Sequence, residues 1–322
     1  MRSDKHAGIK KRKWPKVVGI IFLVLLLGGG VYGYTVYKSL NDAVGAMHDP
    51  LKREKSEKRA EKVTFKEQDP FSVLLLGTDG SFKRKGDVGR SDSIIVLTVN
   101  PNQKSVKMLS IPRDTRTEIV DKGTVDKINH AYAFGAAKGG PSEGAEWSMN
   151  TVENLLDIPI DYYATINMDG FKDIVDAVGG VTVNNDIDFV QDGYTFNKGT
   201  LTLDGKKALA FSRMRHEDPR GDFGRQLRQR EIIKGVINQG ASLSSLWNFD
   251  DIFDALGANV KTNLSFKEMV DIQKNYKAAA GNIEQIKIET GEGTKIDGIY
   301  YYVIPDAELG EIQTTLKKHL QI

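Results

Sequence analysis

At 322 residues, 40% apolar and 27% charged, the chain is neither disordered nor fibrous, and it has room for one large domain or two ordinary ones. It contains no cysteine, which excludes disulfides, thiolate nucleophiles, iron–sulfur clusters and zinc ribbons. The formal charge of +2 is unevenly spread: residues 1–16 hold seven Lys/Arg against Asp4 alone, and the other 38 basic and 42 acidic residues leave the body at −4, so no nucleic-acid partner is expected of it.

The basic tail (1–16) precedes Val17 to Tyr37, 21 residues without a charge. At ~1.5 Å per residue this run matches a bilayer core of roughly 30 Å. Cations before it and Tyr32, Tyr34 and Tyr37 at its far end predict a retained single-pass, type II anchor. The N-terminus then lies in the cytoplasm and the body outside. No Ala-x-Ala-like cleavage site follows, which argues against a removed signal peptide. Residues 38–69 interleave opposite charges, with Glu54 and Lys58 at helical spacing, and read as a charged, solvated helical stalk.

Past Pro70 the pattern is globular to the end. Apolar β-branched runs predict strands at Phe71–Leu76, Ser93–Asn100 and Ser105–Ile111, the last two joined in hairpin fashion. Helical patterns follow around 127–138 and 144–156, then a strand at 162–168, a helix at 170–178 and a strand at 180–187. Asp222–Asn238 is the clearest helix, with Asp222 as its cap. Helices at 265–280 and 306–320 enclose strands at 283–288 and 299–304. This order predicts a single three-layer α/β domain over 70–322, a central mixed β-sheet with helices on both faces.

Phosphate-binding glycine loops, the G-x-S-x-G elbow and H-E-x-x-H are all missing, and five scattered histidines make a zinc site or a histidine triad a poor reading. What remains is aspartate and arginine where strands end. Asp79 lies three residues past the first strand and Asp92 enters the second, so neighbouring strands would bring the two carboxylates to one rim. Two carboxylates completed by phosphate oxygens and water are a common magnesium site; the same residues also suit an ordinary turn and a local cap. Arg113 follows Pro112 at the end of the third strand, where ligands of open α/β sheets usually lie. Six arginines and no lysine crowd residues 213–230. Arg213 and Arg215 have the period of an extended segment, whereas Arg225, Arg228 and Gln229 fall on one helical face. Such a run is either a solvated face or a phosphate site, and the absence of lysine favours the bidentate guanidinium.

LLLGTD, GRSDSI, SIPRDT and SRMRHEDPRGDFGRQLRQRE, in this order behind a membrane anchor, resemble the LytR–CpsA–Psr family of Gram-positive cell envelopes, and within it the wall teichoic acid transferases. The resemblance runs from about Phe71 to Ile322. It implies a phosphotransferase that moves an anionic glycopolymer from an undecaprenyl-pyrophosphate carrier to the C6-hydroxyl of N-acetylmuramic acid in peptidoglycan. It also implies a magnesium ion (manganese as the alternative) held by Asp79 and Asp92. Arg90, Arg113, Arg213, Arg215, Arg225 and Gln229 take the pyrophosphate-binding positions. Asp79 and Arg113 are the expected catalytic groups, Asp79 as proton acceptor. A basic residue that often follows the first aspartate is displaced here to Lys83, whose role stays unassigned. The carrier's hydrocarbon calls for an apolar slot, for which Leu209, Phe211, Ile232 and Val236 are the candidate walls. Alternatives are a prenyl-pyrophosphate phosphatase, and a non-catalytic adaptor that binds the lipid carrier within a cell-wall synthesis complex.

Overall fold

The computed structural model describes residues 38, 45–80, 82, 89–242, 257 and 259–322. The anchor expected at 17–37 and Lys83 lie outside them. Among the described residues no helix is long and apolar enough to cross a membrane.

The strands are β1 (Phe71–Thr78), β2 (Ser91–Asn100), β3 (Ser105–Ile111), β4 (Arg116–Ile119), β5 (Thr124–Lys127), β6 (Tyr162–Asn167), β7 (Val181–Asn185), β8 (Phe189–Gln191), β9 (Tyr194–Phe196), β10 (Gly199–Leu203), β11 (Val260–Thr262), β12 (Ile283–Ile286), β13 (Glu292–Ile296) and β14 (Ile299–Val303). The helices are α1 (His130–Gly139), α2 (Pro141–Leu156), α3 (Met168–Ala177), α4 (Gly205–Arg213), α5 (Asp222–Ser242), α6 (Phe266–Asn275) and α7 (Asp306–Leu320). Six strands form one sheet in the order β11-β6-β1-β2-β3-β12. It is mixed: β1 runs antiparallel to β2 and parallel to β6.

Alternation along the strands divides the core in two, because successive side chains point to opposite faces. Leu74, Leu76, Ile94, Val96, Leu109 and Ile111 face one way, against α1, α2 and α7. Phe71, Val73, Ile95, Leu97, Val106 and Met108 face the other, where Ile233 and Ile237 of α5 and Ile272 of α6 pack. The central strands β1 to β3 therefore read as continuous apolar runs, since neither face meets water. A second, smaller core lies beyond α5: Val181, Phe189, Phe196, Phe211 and Ile232 close it beneath the β7–β10 and β8–β9 pairs.

Residues 49–69 do not form the solvated helix expected of their charges; they run in turns and irregular backbone along the body. Arg53 pairs with Glu153 at 2.7 Å and Arg59 with Asp161 at 2.8 Å, all four largely buried. Phe65 sinks between Phe71, Tyr162 and Tyr276. Helical spacing of charges gives only tenths of a kcal/mol per pair; buried ion pairs and an aromatic anchor outweigh it.

The C-terminal helix is locked by His319, which is 1% exposed. Its ring nitrogens meet Thr98 Oγ1 at 2.7 Å and Ser105 Oγ at 2.9 Å. Burial, helped by Lys107, pushes its pKa down from 6.5 to about 4. The folded state thus favours the neutral ring, so this contribution is complete above pH 6.5 and is lost as pH falls through about 4. Urea unfolding between pH 7 and 4 should lose on the order of 3 kcal/mol through this group, and His319→Gln should flatten that limb. An unchanged limb in the variant would assign the acid sensitivity elsewhere.

Candidate active site

The site is built where β1, β2 and β3 end. Gly77 pairs with Ser93 and Thr78 with Ser91, so Asp92 is the extra residue of a β-bulge. A bulge re-aims one side chain at the end of a ladder, and here that side chain is a carboxylate. Asp79, one residue past β1, is held by the residue that leads into β2: the Arg90 backbone N–H donates to Asp79 Oδ1 at 2.7 Å. Both aspartates line a cavity of about 350 Å³.

The cavity lies on the α5 side of the sheet. Leu75, Ile95 and Ile166 come from the strands, Phe171 from α3, Leu209 from α4 and Ile233 from α5. Arg213, Arg225 and Gln229 complete the lining with the two aspartates. Arg225, Gln229 and Ile233 stand at i, i+4 and i+8, one stripe of α5. Arg228 and Ile232 belong to the adjacent stripe and turn into the second core.

Arg113 reaches Asp92 from the end of β3, Nη1 to Oδ2 at 2.9 Å, and Asp114 lies at 3.7 Å from its Nε. Burial alone would lower the Arg113 pKa, but Asp92, Asp222 and Asp114 outweigh it and raise it. Arg225 behaves oppositely. Burial, with the positive charges of Arg113 and Arg215 nearby, lowers its pKa against the pull of Asp222 and Asp92. It pairs with Asp222 at 2.7 Å while its Nε is buried without a hydrogen-bond partner. Guanidiniums crowded in this way suit polyanionic oxygen.

Most of the expected polar residues meet. Asp79, Asp92, Arg213, Arg225 and Gln229 share the cavity, with Arg113 bonded to Asp92 and Arg215 close enough to repel Arg225. Arg90 is exposed beside Asp79. Three expectations need correction. Arg213 is not on an extended segment: it ends helix α4, and it faces Asp192 at 3.6 Å. Arg228 does not share the face of Arg225 and Gln229; it is buried with Asp218. Of the proposed apolar walls, Leu209 lines the cavity, but Phe211 and Ile232 are fully buried in the second core and Val236 packs against it. The reason is phase: on a helix, residues two apart point to opposite sides, so Leu209 and Phe211 cannot share a wall.

Sequence reasoning missed Asn129, whose Nδ2 approaches Asp92 Oδ1 at 3.5 Å, and Ser93, which donates to Gln229 Oε1 at 3.2 Å. It also took Asp222 for a helix cap alone, although it is the partner of Arg225.

The α/β domain thus gathers arginines and two carboxylates around a cavity that apolar side chains also line. The sequence profile of the LytR_cpsA_psr family matches residues 34–318, and the chain belongs to that family. It is 52% identical over 316 residues to a Bacillus anthracis protein named polyisoprenyl-teichoic acid–peptidoglycan teichoic acid transferase TagU, covering 98% of this chain and 99% of that one. The crystal structure of Bacillus subtilis TagU superposes with a TM-score of 0.62 at 50% identity, over 78% and 97% of the two chains. The family protein YwtF (TagT), solved with bound octaprenyl pyrophosphate lipid, gives 0.66 at 32% identity, over 85% of this chain and 100% of that one.

Proposed function

We propose that this protein is a phosphotransferase that passes teichoic acid from a polyisoprenyl-pyrophosphate carrier to peptidoglycan. The observation that carries the reading is one cavity lined both by Asp79, Asp92, Arg213 and Arg225 and by Leu75, Ile95, Ile166, Phe171 and Ile233. The charged part of that lining suits a diphosphate and the apolar part suits the start of an isoprenoid tail. The names borne by its relatives support the same donor and acceptor.

In this reading the acceptor is a sugar hydroxyl, the C6-hydroxyl of N-acetylmuramic acid. Its oxygen bonds to the phosphorus attached to the glycan, the bond from that phosphorus to the prenyl phosphate breaks, and prenyl phosphate leaves. Asp79, exposed at the rim, accepts the hydroxyl proton. Arg113, Arg225, Arg213 and Arg215 take up charge on the phosphoryl oxygens, which is where such transfers gain most. Arg90 sits at the outer edge.

The donor set suits a hard divalent cation: two carboxylates line one cavity, and a backbone N–H already fixes one of them. Asp79 and Asp92 would hold magnesium, or manganese, which would supply positive charge to the phosphoryl oxygens when bound. The uncharged run at 17–37 and the basic tail support a membrane anchor with the catalytic body outside the cell.

Full-length protein in detergent, supplied with a prenyl-pyrophosphate-linked teichoic acid precursor and peptidoglycan, should yield a phosphodiester-linked product by mass spectrometry. Asp92→Asn should lower the rate by about 10²–10³-fold. Release of free glycan phosphate without linkage would convert the reading to a phosphatase. Full transfer activity in an Asp79→Asn/Asp92→Asn double variant would remove both aspartates from the chemistry, and wild type that binds the precursor without forming product would leave only carrier binding.

A further inference from the structure

Among the described residues, Arg230 of α5 is a buried arginine without a carboxylate partner; it is 6% exposed. Its Nε donates to Gln285 Oε1 at 3.0 Å, and its two terminal nitrogens have no partner among those residues. Arg53, Arg59, Arg225 and Arg228, also largely buried, each hold a carboxylate at 2.7 or 2.8 Å. Burial lowers the Arg230 pKa. The opposing pull comes from Glu231, whose carboxylate is itself engaged, accepting from Gln285 Nε2 at 3.2 Å. A charge kept from water without a counter-ion is costly and points to an anion that completes it.

Arg230 stands five residues beyond Arg225, about 7.5 Å along the helix and roughly 140° around it, so it turns away from the first cavity. It lines a separate cavity of about 150 Å³, room for a guest the size of benzene. The charged residues of this lining are Arg230, Lys287 and Glu289, two cations against one carboxylate. Pro112 and Phe223, also in the wall, are the chain neighbours of Arg113 and Asp222. Gln226 donates from the same wall to Asp222 Oδ2 at 3.1 Å. The second cavity therefore begins beside the charges of the first.

We propose that Arg230, with Lys287, forms a second anion site and that it takes one phosphate group. The terminal nitrogens of Arg230 offer a planar fork to two oxygens of that group, and the exposed Lys287 adds a point charge. The same fork suits a carboxylate. Phosphate is chosen because the transfer proposed above brings it to this end of the sheet: with the diphosphate on Arg113 and Arg225, a phosphodiester of the attached polymer is the next anion to arrive. That choice rests on the transferase reading; the anion site itself rests on the unpaired guanidinium.

The test follows the melting temperature of full-length protein in detergent at constant ionic strength, titrated with inorganic phosphate, a glycerol phosphate oligomer or acetate. Arg225→Met supplies the background, because it removes a guanidinium of the first cavity. There phosphate should still raise the melting temperature by a few degrees, acetate should not, and adding Arg230→Met should weaken phosphate binding about tenfold or more. In phosphate-free buffer Arg230→Met alone should melt no lower than wild type, because methionine keeps the stem and removes a charge without a counter-ion. Equilibrium dialysis of wild type against radiolabelled phosphate needs no Arg225 variant, and its stoichiometry should fall by one in Arg230→Met. An Arg230→Met protein that melts well below wild type without phosphate, or that binds as much phosphate, would overturn the site. Acetate that binds as tightly would overturn phosphate as its ligand. Tighter binding of the oligomer, per phosphate, supports the polymer as the source; tighter binding of the free ion overturns that source. None of these measurements requires transfer, so a wild type that binds phosphate through Arg230 and transfers nothing would sink the transferase and keep the site.

Discussion

Arg113→Ala is expected to lower kcat for transfer by about 10²–10³-fold while the domain stays folded. The turn that carries Arg113 is made by backbone: Thr115 N–H donates to the Pro112 carbonyl at 2.9 Å, and Asn129 N–H to the Arg113 carbonyl at 3.2 Å. Neither bond needs the side chain. The guanidinium itself is about a quarter exposed and is tied to Asp92 and Asp114. Partly solvated pairs of this kind contribute roughly 1 kcal/mol or less, so the melting temperature should move little. Activity should respond differently. Three carboxylates hold the cation in place before any phosphate arrives, and this preorganisation has value only when charge builds on the phosphoryl oxygens. Arg113→Lys keeps the charge and loses the planar fork, so it should recover part of kcat and no more. Steady-state kcat and KM, measured beside thermal melting, decide the matter. A folded Arg113→Ala protein with near-wild-type kcat would remove this residue from the chemistry, and a variant that simply melts early would make it structural.

The parts of this architecture that sequence could supply are those where one physical signal dominates. β1, β2 and β3 are apolar on both faces and bounded by turn residues, and α7 matches its expected range of 306–320. The meeting of Asp79, Asp92 and Arg113 was legible because all three sit at the ends of adjacent strands, whereas the arginine run was a weaker guide, since Arg220 and Arg228 pair with Asp218 instead. Phase was harder to read. Residues 205–213 carry Leu209 and Arg213 to the cavity by forming a helix, a choice made by the Asp204 cap, whose side chain accepts from Lys207 N–H at 2.8 Å. Read as an extended segment, the same residues send Phe211 to the wrong place. The β8–β9 hairpin was missed because two three-residue strands have too few positions to show alternation.

The six-arginine run also divides by position: Arg213 and Arg225 line the cavity, whereas Arg220 and Arg228 pair with Asp218. Asp218→Asn is expected to destabilise the domain by about 3–5 kcal/mol, a large part of the roughly 5–15 kcal/mol typical of a folded domain. The Asp218 side chain is fully buried, and so, within 3%, is that of Arg228, with Nη1 at 2.7 Å from Oδ2. Arg220 adds Nε at 2.9 Å and its own backbone N–H at 2.9 Å. Arg228 also donates to the Met214 carbonyl at 2.6 Å and lies 5.3 Å from the centre of the Phe189 ring. Glycine at 224 makes the arrangement fit, because a Cβ there would collide with the Asp218 carboxylate. Burial by itself would push the Asp218 pKa up; the hydrogen bonds from Arg220 and Arg228 reverse this and hold it below the ordinary carboxylate value of 3.8. Its contribution is therefore complete above that value and is lost as pH falls through the lower folded one. Asparagine keeps the shape and removes the charge, which leaves Arg228 buried without a counter-ion. Arg228→Met added to Asp218→Asn should restore part of the loss, since the two changes act on one pair and cannot add. Activity should fall with stability, because Met214 to Gly221 leads directly into the first turns of α5, which carry Arg225 and Gln229. Urea midpoints at pH 7 for the two single variants and the double variant form the cycle. A cost below about 1 kcal/mol for Asp218→Asn would place the rigidity of this segment elsewhere.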